Sequence, residues 1–385
     1  MTRADTANIE ADMPPIMDQL LAPDAPAPPG FLKKLLRKRS AVLSLLCLAL
    51  LALAGIAGPL AYPHRYDQVF PDFVLTKPSL KPHPTIAETS LALRDFEKRM
   101  NVAMVQTSIS LTSATIGLSS SEAPIDPRVL RYFSQSEIFG TPHIISKSPD
   151  GKALTFTVPL TQLTFPCGTD ANGRDLLARI FIALRISLAV GLLATLVALS
   201  LGVAFGGIAG FVGGRVDLAM MRLVEILYSL PFIFFVILLT VFIGRNFVLI
   251  FVAIGAVEWL DMARIVRGET LSVKRRDYVA AAEALGARPS AIFFRHVLPN
   301  MLAPIIAFLT LLVPRVIIAE SFVSFLGLGV QEPLTSLGVL IAAGANMIQS
   351  APYLLAFPAV VLAVTLGALN ILGDAVTAAA EGRSQ

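Results

Sequence analysis

Apolar and polar residues are sharply segregated along this chain. Apolar runs of about 20 residues, the length that crosses a bilayer as a helix, alternate with short charged stretches. The runs fall at about 41–62, 186–211, 223–243, 247–265, 301–325 and 353–372, and they predict six membrane crossings. The second carries Gly191, Gly202, Gly206, Gly207 and Gly210, small residues that let helices approach closely in lipid. The third contains Pro231, which a membrane helix tolerates when neighbours satisfy the freed carbonyl. The strings GGRVDLAMMR and GRN read as turns, and LGLGVQEPLTSLG leads through a re-entrant piece to the last run.

The polar stretches complete the organisation. Residues 1–30, acidic and rich in proline, bury too little apolar surface to fold alone and read as a disordered tail, with PPIMDQLL as a short docking helix. Residues 31–62 join a basic flank to the first crossing. That crossing is too long for the apolar part of a signal peptide and no cleavage site follows, so it reads as retained. Residues 63–165 form a long insert in which LRDFEKRMN suggests a helix and KALTFTVPLTQLTF a strand, an α+β subdomain. Residues 166–376 hold the other five crossings, including a charged loop at 266–299, and 377–385 form a tail.

The composition supports a polytopic membrane protein. Of 385 residues 55% are hydrophobic and 15% charged, against about 25% charged in soluble domains, and the mean hydropathy is +0.71. The net charge of +4 does not point to nucleic acid, because many basic residues flank apolar runs, as the positive-inside rule expects. Arg264, Arg267, Lys274, Arg275, Arg276, Arg288 and Arg295 cluster after the fourth run, while the 244–246 turn carries Arg245 alone. Both termini and the 277–300 segment are therefore expected in the cytoplasm and the insert outside. Cys47 and Cys167 are expected to remain unpaired thiols.

The segment DYVAAAEALGARPSAIFFRHVLPN, residues 277–300, lies between two such apolar runs. Asp277 can cap a short helix that Gly286 would stop. Ser290 can cap a second, and Pro299 marks the turn into the fifth crossing. The alanines give the first helix a thin surface that fits a groove on another protein, and IFF gives the second an apolar face. Two helices lying on lipid headgroups would read the same way.

Ala280, Ala281, Ala282, Gly286, Leu298 and Pro299 stand in an order that resembles the cytoplasmic coupling loop of ATP-binding cassette (ABC) importer permeases, with Ala280 where that loop has Glu and His296 where it has Ile. The strings GTDANGRDLLARI, GGRVDLAMMRLVEILYSLP, ESFVSFLGLGVQEP and NILGDAV are similar to those of the second permease subunit in the dipeptide, oligopeptide and nickel subset. The resemblance covers about residues 165–376. It implies an all-α transmembrane, six-helix importer permease fold with a long external insert between the first two helices. It also implies a bacterial inner membrane, a homologous permease partner, two ATP-binding subunits that bind ATP and Mg, and an external substrate-binding protein. In this family the coupling loop sits in a groove on the nucleotide-binding subunit, which assigns Asp277, Ala280, Ala281, Ala282, Leu285, Gly286, His296, Leu298 and Pro299 to that contact. Peptides are the expected cargo, with nickel or another small solute as the alternative; a membrane-embedded enzyme or an ion-coupled carrier is the rival class.

The chemistry the chain lacks fits a transport subunit without a cofactor. No G-x-x-x-x-G-K-[ST] string could cradle ATP phosphates, no catalytic constellation appears, and His64, His83, His143 and His296 show no metal-ligand spacing. Arg315 and Glu320 lie within the fifth run, five residues apart and so on different helix faces. Each either lines the translocation pathway or pairs with another helix. Asp170, Arg174 and Asp175 form either part of the outer mouth or a hydrogen-bonded cap on the second crossing.

Overall fold

The computed structural model describes residues 35–100, 102–120, 124–126, 128–243 and 247–380. The acidic tail, the 244–246 turn with Arg245 and the last five residues lie outside them. Helix α1 (Arg39–Ala61) precedes the insert, which contains β1 (Ser79–His83), α2 (Ile86–Met100), β2 (Ala103–Ile109), β3 (Ser113–Ser119), α3 (Arg128–Gln135), β4 (His143–Lys147), β5 (Ala153–Pro159) and β6 (Leu163–Phe165). The helical part follows: α4 (Leu176–Val212), α5 (Gly214–Tyr228), α6 (Phe232–Ile243), α7 (Phe247–Lys274), α8 (Asp277–Ala284), α9 (Pro289–Ile292), α10 (Leu298–Phe325), α11 (Leu337–Asn346) and α12 (Tyr353–Ala380). Among the described residues, four helical stretches are long and apolar enough to cross a membrane: α1, α4, Pro289–Phe325 and most of α12.

The insert has its own core. Strands β2, β3, β5 and β4 form an antiparallel sheet in that order, with Ile116 opposite Phe156, and β1 pairs with β6. Strand β5 alternates as a half-buried strand should, with Leu154, Phe156 and Val158 turned inward. Phe133 from α3 stacks on Phe96 from α2 at 5.0 Å and meets Phe139 and Phe156 edge-on. Residues 93–100 of the LRDFEKRMN string are helical, within α2, whereas KALTFTVPLTQLTF supplies two strands rather than one.

The helical part is held together by a close approach of α4 and α7. Gly202, Gly206 and Gly210 recur every four residues and so share one face of α4. A Cβ at Gly206 would stand 2.2 Å from the carbonyl oxygen of Ala263, and one at Gly202 2.3 Å from the Met262 side chain. Only hydrogen fits there, and Met262, Ala263 and Val266 are fully buried as a result.

Several boundaries differ from those expected. Helix α4 begins ten residues earlier than the apolar run, because Asp175 caps it at Leu176. At about 1.5 Å per residue it spans roughly 55 Å, well beyond a hydrocarbon core of about 30 Å. After Gly213, which is the N-cap, the GGRVDLAMMR stretch is helical within α5 rather than a turn. The third run breaks at Ser229–Pro231, where proline starts a new helix instead of lying inside one. Helix α7 continues to Lys274, so the charged loop begins at residue 275 rather than 266.

Candidate functional site

The segment from residue 275 to 299 is a short helical arm anchored at both ends by long helices. Helix α8 starts after Arg276, which takes the N-cap backbone geometry; no side chain caps it, and Asp277 is its first residue rather than its cap. Helix α9 likewise begins with Pro289 after Arg288, so Ser290 is not a cap. The expected stop at Gly286 is present, with φ at +74°. Gly286 N–H donates to Glu283 O at 3.0 Å and Ala287 N–H to Ala282 O at 3.1 Å, the two bonds of a Schellman motif, which needs a left-handed residue at this point. A wide turn over Phe293–Val297 leads into α10.

The arm has one face turned to the protein and one turned away. Val279, Ile292 and Val297 are buried, and Ala282 and Leu298 pack partly against the same core. Lys274 Nζ donates to the carbonyl of Phe211 at 2.6 Å, and the Phe211 ring meets Phe293 edge-on at 5.5 Å, which fixes the arm to the end of α4. Ala280, Ala281, Gly286 and Pro299 are exposed. Leu285 is 87% exposed and Phe294 65%. Together these two large side chains give one short arm an exposed apolar surface that a partner or lipid headgroups would cover. His296 is half-buried, its ring 6.5 Å from that of Tyr278.

A second cluster sits at the other end of α4. Asp175 accepts hydrogen bonds from the N–H groups of Leu177 at 2.8 Å and Ala178 at 3.4 Å. Its other oxygen accepts from the Tyr62 hydroxyl at 2.8 Å and lies 2.6 Å from His64 Nδ1. Asp170 accepts from the backbone N–H of Asn172 and Arg174 and from Arg174 Nε at 2.9 Å, and is also bonded by Arg179. Glu332, between α10 and α11, completes the cluster through Arg174 Nη2 at 2.8 Å. The hydrogen bond from Arg174 holds the Glu332 carboxyl below its ordinary pKa. Burial, reinforced by the charge of Asp175, pushes the nearby Cys167 thiol up to about 11, so it is no ready nucleophile. Backbone bonds from Phe70 to Gly173 and between Thr76 and Thr169 tie the insert to this loop.

The charges in the fifth run have separate partners. Arg315 on α10 bonds Asp261 at 2.9 Å and approaches Glu258 at 3.6 Å, both on α7, while its own side chain is 54% exposed. Glu320 is fully buried and accepts from Ser187 at 3.1 Å and Ser324 at 2.7 Å. Ser187 also accepts the N–H of Leu337, and Ser336 caps α11, so this carboxyl joins α4, α10 and the start of α11.

Residues 202–384 match the family described as binding-protein-dependent transport system inner membrane component, and residues 30–82 match the N-terminal TM domain of oligopeptide transport permease C. The oligopeptide transport system permease protein OppC of Escherichia coli K12 is 54% identical over 207 residues, which is 54% of this chain and 68% of that protein. The chain belongs to this permease family. It is the membrane-embedded, non-catalytic subunit of an ABC importer. The dipeptide transport system permease protein DppC of Bacillus subtilis is 46% identical over 208 residues, 54% of this chain and 65% of that one. A chain of the MetNI methionine ABC transporter in inward-facing form overlays with a TM-score of 0.44 at 18% identity, covering 53% of this permease and 96% of that chain.

Within the permease the residues singled out by sequence occupy three separate places: Asp277 to Pro299 on the arm, Asp170, Arg174 and Asp175 at the start of α4, and Arg315 and Glu320 on α10 without a bond between them. Sequence reasoning missed Tyr62, His64 and Glu332 as members of the α4 cluster; of the IFF string expected to form the apolar face of the arm's second helix, Phe294 is the residue left exposed, while Ile292 is buried. Glu332 carried a faint signal, a lone acid beside proline in an apolar flank. The partners of Asp175 lie more than 100 residues away in sequence and carried none.

Proposed function

We propose that this permease imports peptides, and that its 277–299 arm docks in a groove of an ATP-binding partner. The observation that carries the docking is Leu285, exposed at the tip of a short helix whose two ends are fixed to long helices. Such an element transmits rigid-body motion to the membrane helices. Peptide cargo is supported by the oligopeptide and dipeptide permeases among the relatives. The assembly is a homologous permease, two subunits that bind ATP and Mg, and an external substrate-binding protein. Six crossings, made of the four long apolar stretches with α6 and the apolar first half of α7, put both termini and the arm in the cytoplasm and the insert outside. Arg315, exposed although ion-paired, is the pathway residue; Glu320, enclosed by serines, is structural.

The test is gentle purification of the tagged permease from its own membrane, identification of what co-elutes, and ATPase assay of the assembly with its binding protein and mixed peptides. Co-eluting ATPases with peptide-stimulated hydrolysis support the reading. Transport in vesicles without ATP overturns it.

A further inference from the structure

The insert contains a cavity of about 460 Å³ between the 72–77 segment and α2, within the size range of small-molecule sites. Its floor is apolar, with Phe73, Phe96 and Ile138, and its polar groups fall into two kinds. Asp72 and Glu88 are committed: Asp72 accepts from the Ser136 hydroxyl and Glu137 N–H, and Glu88 from Thr85 N–H and the His83 ring. Lys77, Asp95 and Arg99 are exposed, and among the described residues none of the three has a hydrogen-bond or ion-pair partner. Asp95 and Arg99 stand four apart on α2, where such a pair readily closes on itself, yet both charges stay open to the cavity.

His83 is the second observation. Its side chain is 8% exposed and it lines the same cavity. Nδ1 lies 2.9 Å from the Glu88 carboxylate. Burial pushes the Glu88 carboxyl upward, but its bonds from Thr85 and His83 outweigh that and leave its pKa lowered. An ionised Glu88 requires the proton on Nδ1, so in the neutral ring Nε2 is a bare acceptor, and it has no hydrogen-bond partner. A buried acceptor without a donor is costly; a ligand N–H would supply one.

We propose that this cavity binds a small dipolar molecule of the amino-acid or dipeptide class. Its carboxylate meets Lys77 and Arg99, its ammonium meets Asp95 and His83 Nε2, and its apolar side chain rests on Phe73 and Phe96. The site lies in the insert, outside the helical part that carries translocation, so it stands or falls separately from the cargo proposed above.

The experiment is equilibrium dialysis of radiolabelled leucyl-phenylalanine against the purified full-length permease in nanodiscs. The comparisons are the N-acetylated, C-amidated form of the same dipeptide and the variants Asp95→Asn and Lys77→Ser with Arg99→Ser. All three side chains are exposed and unpaired, so these variants should fold. The free dipeptide should bind saturably, and each lost charge-assisted bond should weaken it about tenfold. Absence of saturable binding, or equal binding by the double variant or the blocked dipeptide, overturns the proposal. Peptide transport by the assembled importer is read in parallel: if it fails while the dipeptide still binds, the cargo reading falls and this site stands.

Discussion

Replacing Leu285 with alanine separates stability from coupling. The side chain is 87% exposed, so its removal takes little apolar contact from the permease, and the melting temperature of the purified chain should not change. In the assembled importer the same side chain would be buried in the ATPase groove. Alanine lacks three of its carbons, and at about 0.8 kcal/mol each the loss is about 2.4 kcal/mol, or roughly fiftyfold in affinity for that contact. The assay is peptide-stimulated ATP hydrolysis in proteoliposomes, with ATPase subunit titrated against permease. Leu285→Ala should shift the titration midpoint by roughly that factor, and Leu285→Asp further, because the groove would then enclose an unpaired charge. A Leu285→Asp protein with unchanged melting temperature and unchanged coupling would refute the argument, since the tip of the arm would then enter nothing.

Four further substitutions test other parts of the structure. Gly206→Ala puts a Cβ 2.2 Å from a backbone oxygen and should cost about 1–3 kcal/mol through overpacking. Gly268→Ala, where nothing lies within 4 Å, should stabilise α7 by up to about 1 kcal/mol; paired thermal melts that shift equally would count against the close approach. Asp175→Ala removes a helix cap and the acceptor for Tyr62 and His64, a loss on the order of 3 kcal/mol, read by thermal denaturation. The lowered pKa of Glu332 means its pairing with Arg174 contributes stability above the ordinary carboxylate pKa and loses it as pH falls through the lowered folded value. The melting-temperature gap between wild type and Glu332→Gln should therefore be open at neutral pH and close in acid; a gap that does not change with pH would count against the pairing.

What was legible in the sequence was set by range. The apolar runs fixed the long helices, because lipid demands uninterrupted length, and the Gly286 stop was readable because it needs only local geometry. Charge inside a helix hid structure: Arg179 and Arg185 made the start of α4 read as loop, and Arg215, Asp217 and Arg222 made α5 read as a turn. Capping was misplaced at Asp277 and Ser290 because residue type alone does not say where a helix begins when a preceding arginine already holds the extended backbone. The separation of Arg315 from Glu320 followed from helix geometry, but not their partners, since Glu320 meets Ser187 across 133 positions.

Helix α4 links these places, and its length has a mechanical consequence. One end is tied to the arm through the ring contact of Phe211 with Phe293 and to the end of α7 through Lys274, and α5, which follows it, is tied to α7 through the ion pair of Asp217 with Arg267 at 2.5 Å. The glycine face locks its last third to α7, so these helices cannot slide without the overlap that the Gly206 variant imitates. The other end carries Asp175, which is bonded to Tyr62 and His64, and follows directly on the Asp170 loop to which the insert is tied. A displacement of the arm therefore reaches the insert through one continuous helix rather than through a relay of loops. Closely packed elements of this kind respond as rigid bodies. It follows that a defect at either end of α4 should weaken the coupling of the other, and that Asp175→Ala should lower peptide-stimulated hydrolysis although it lies far from the proposed ATPase contact.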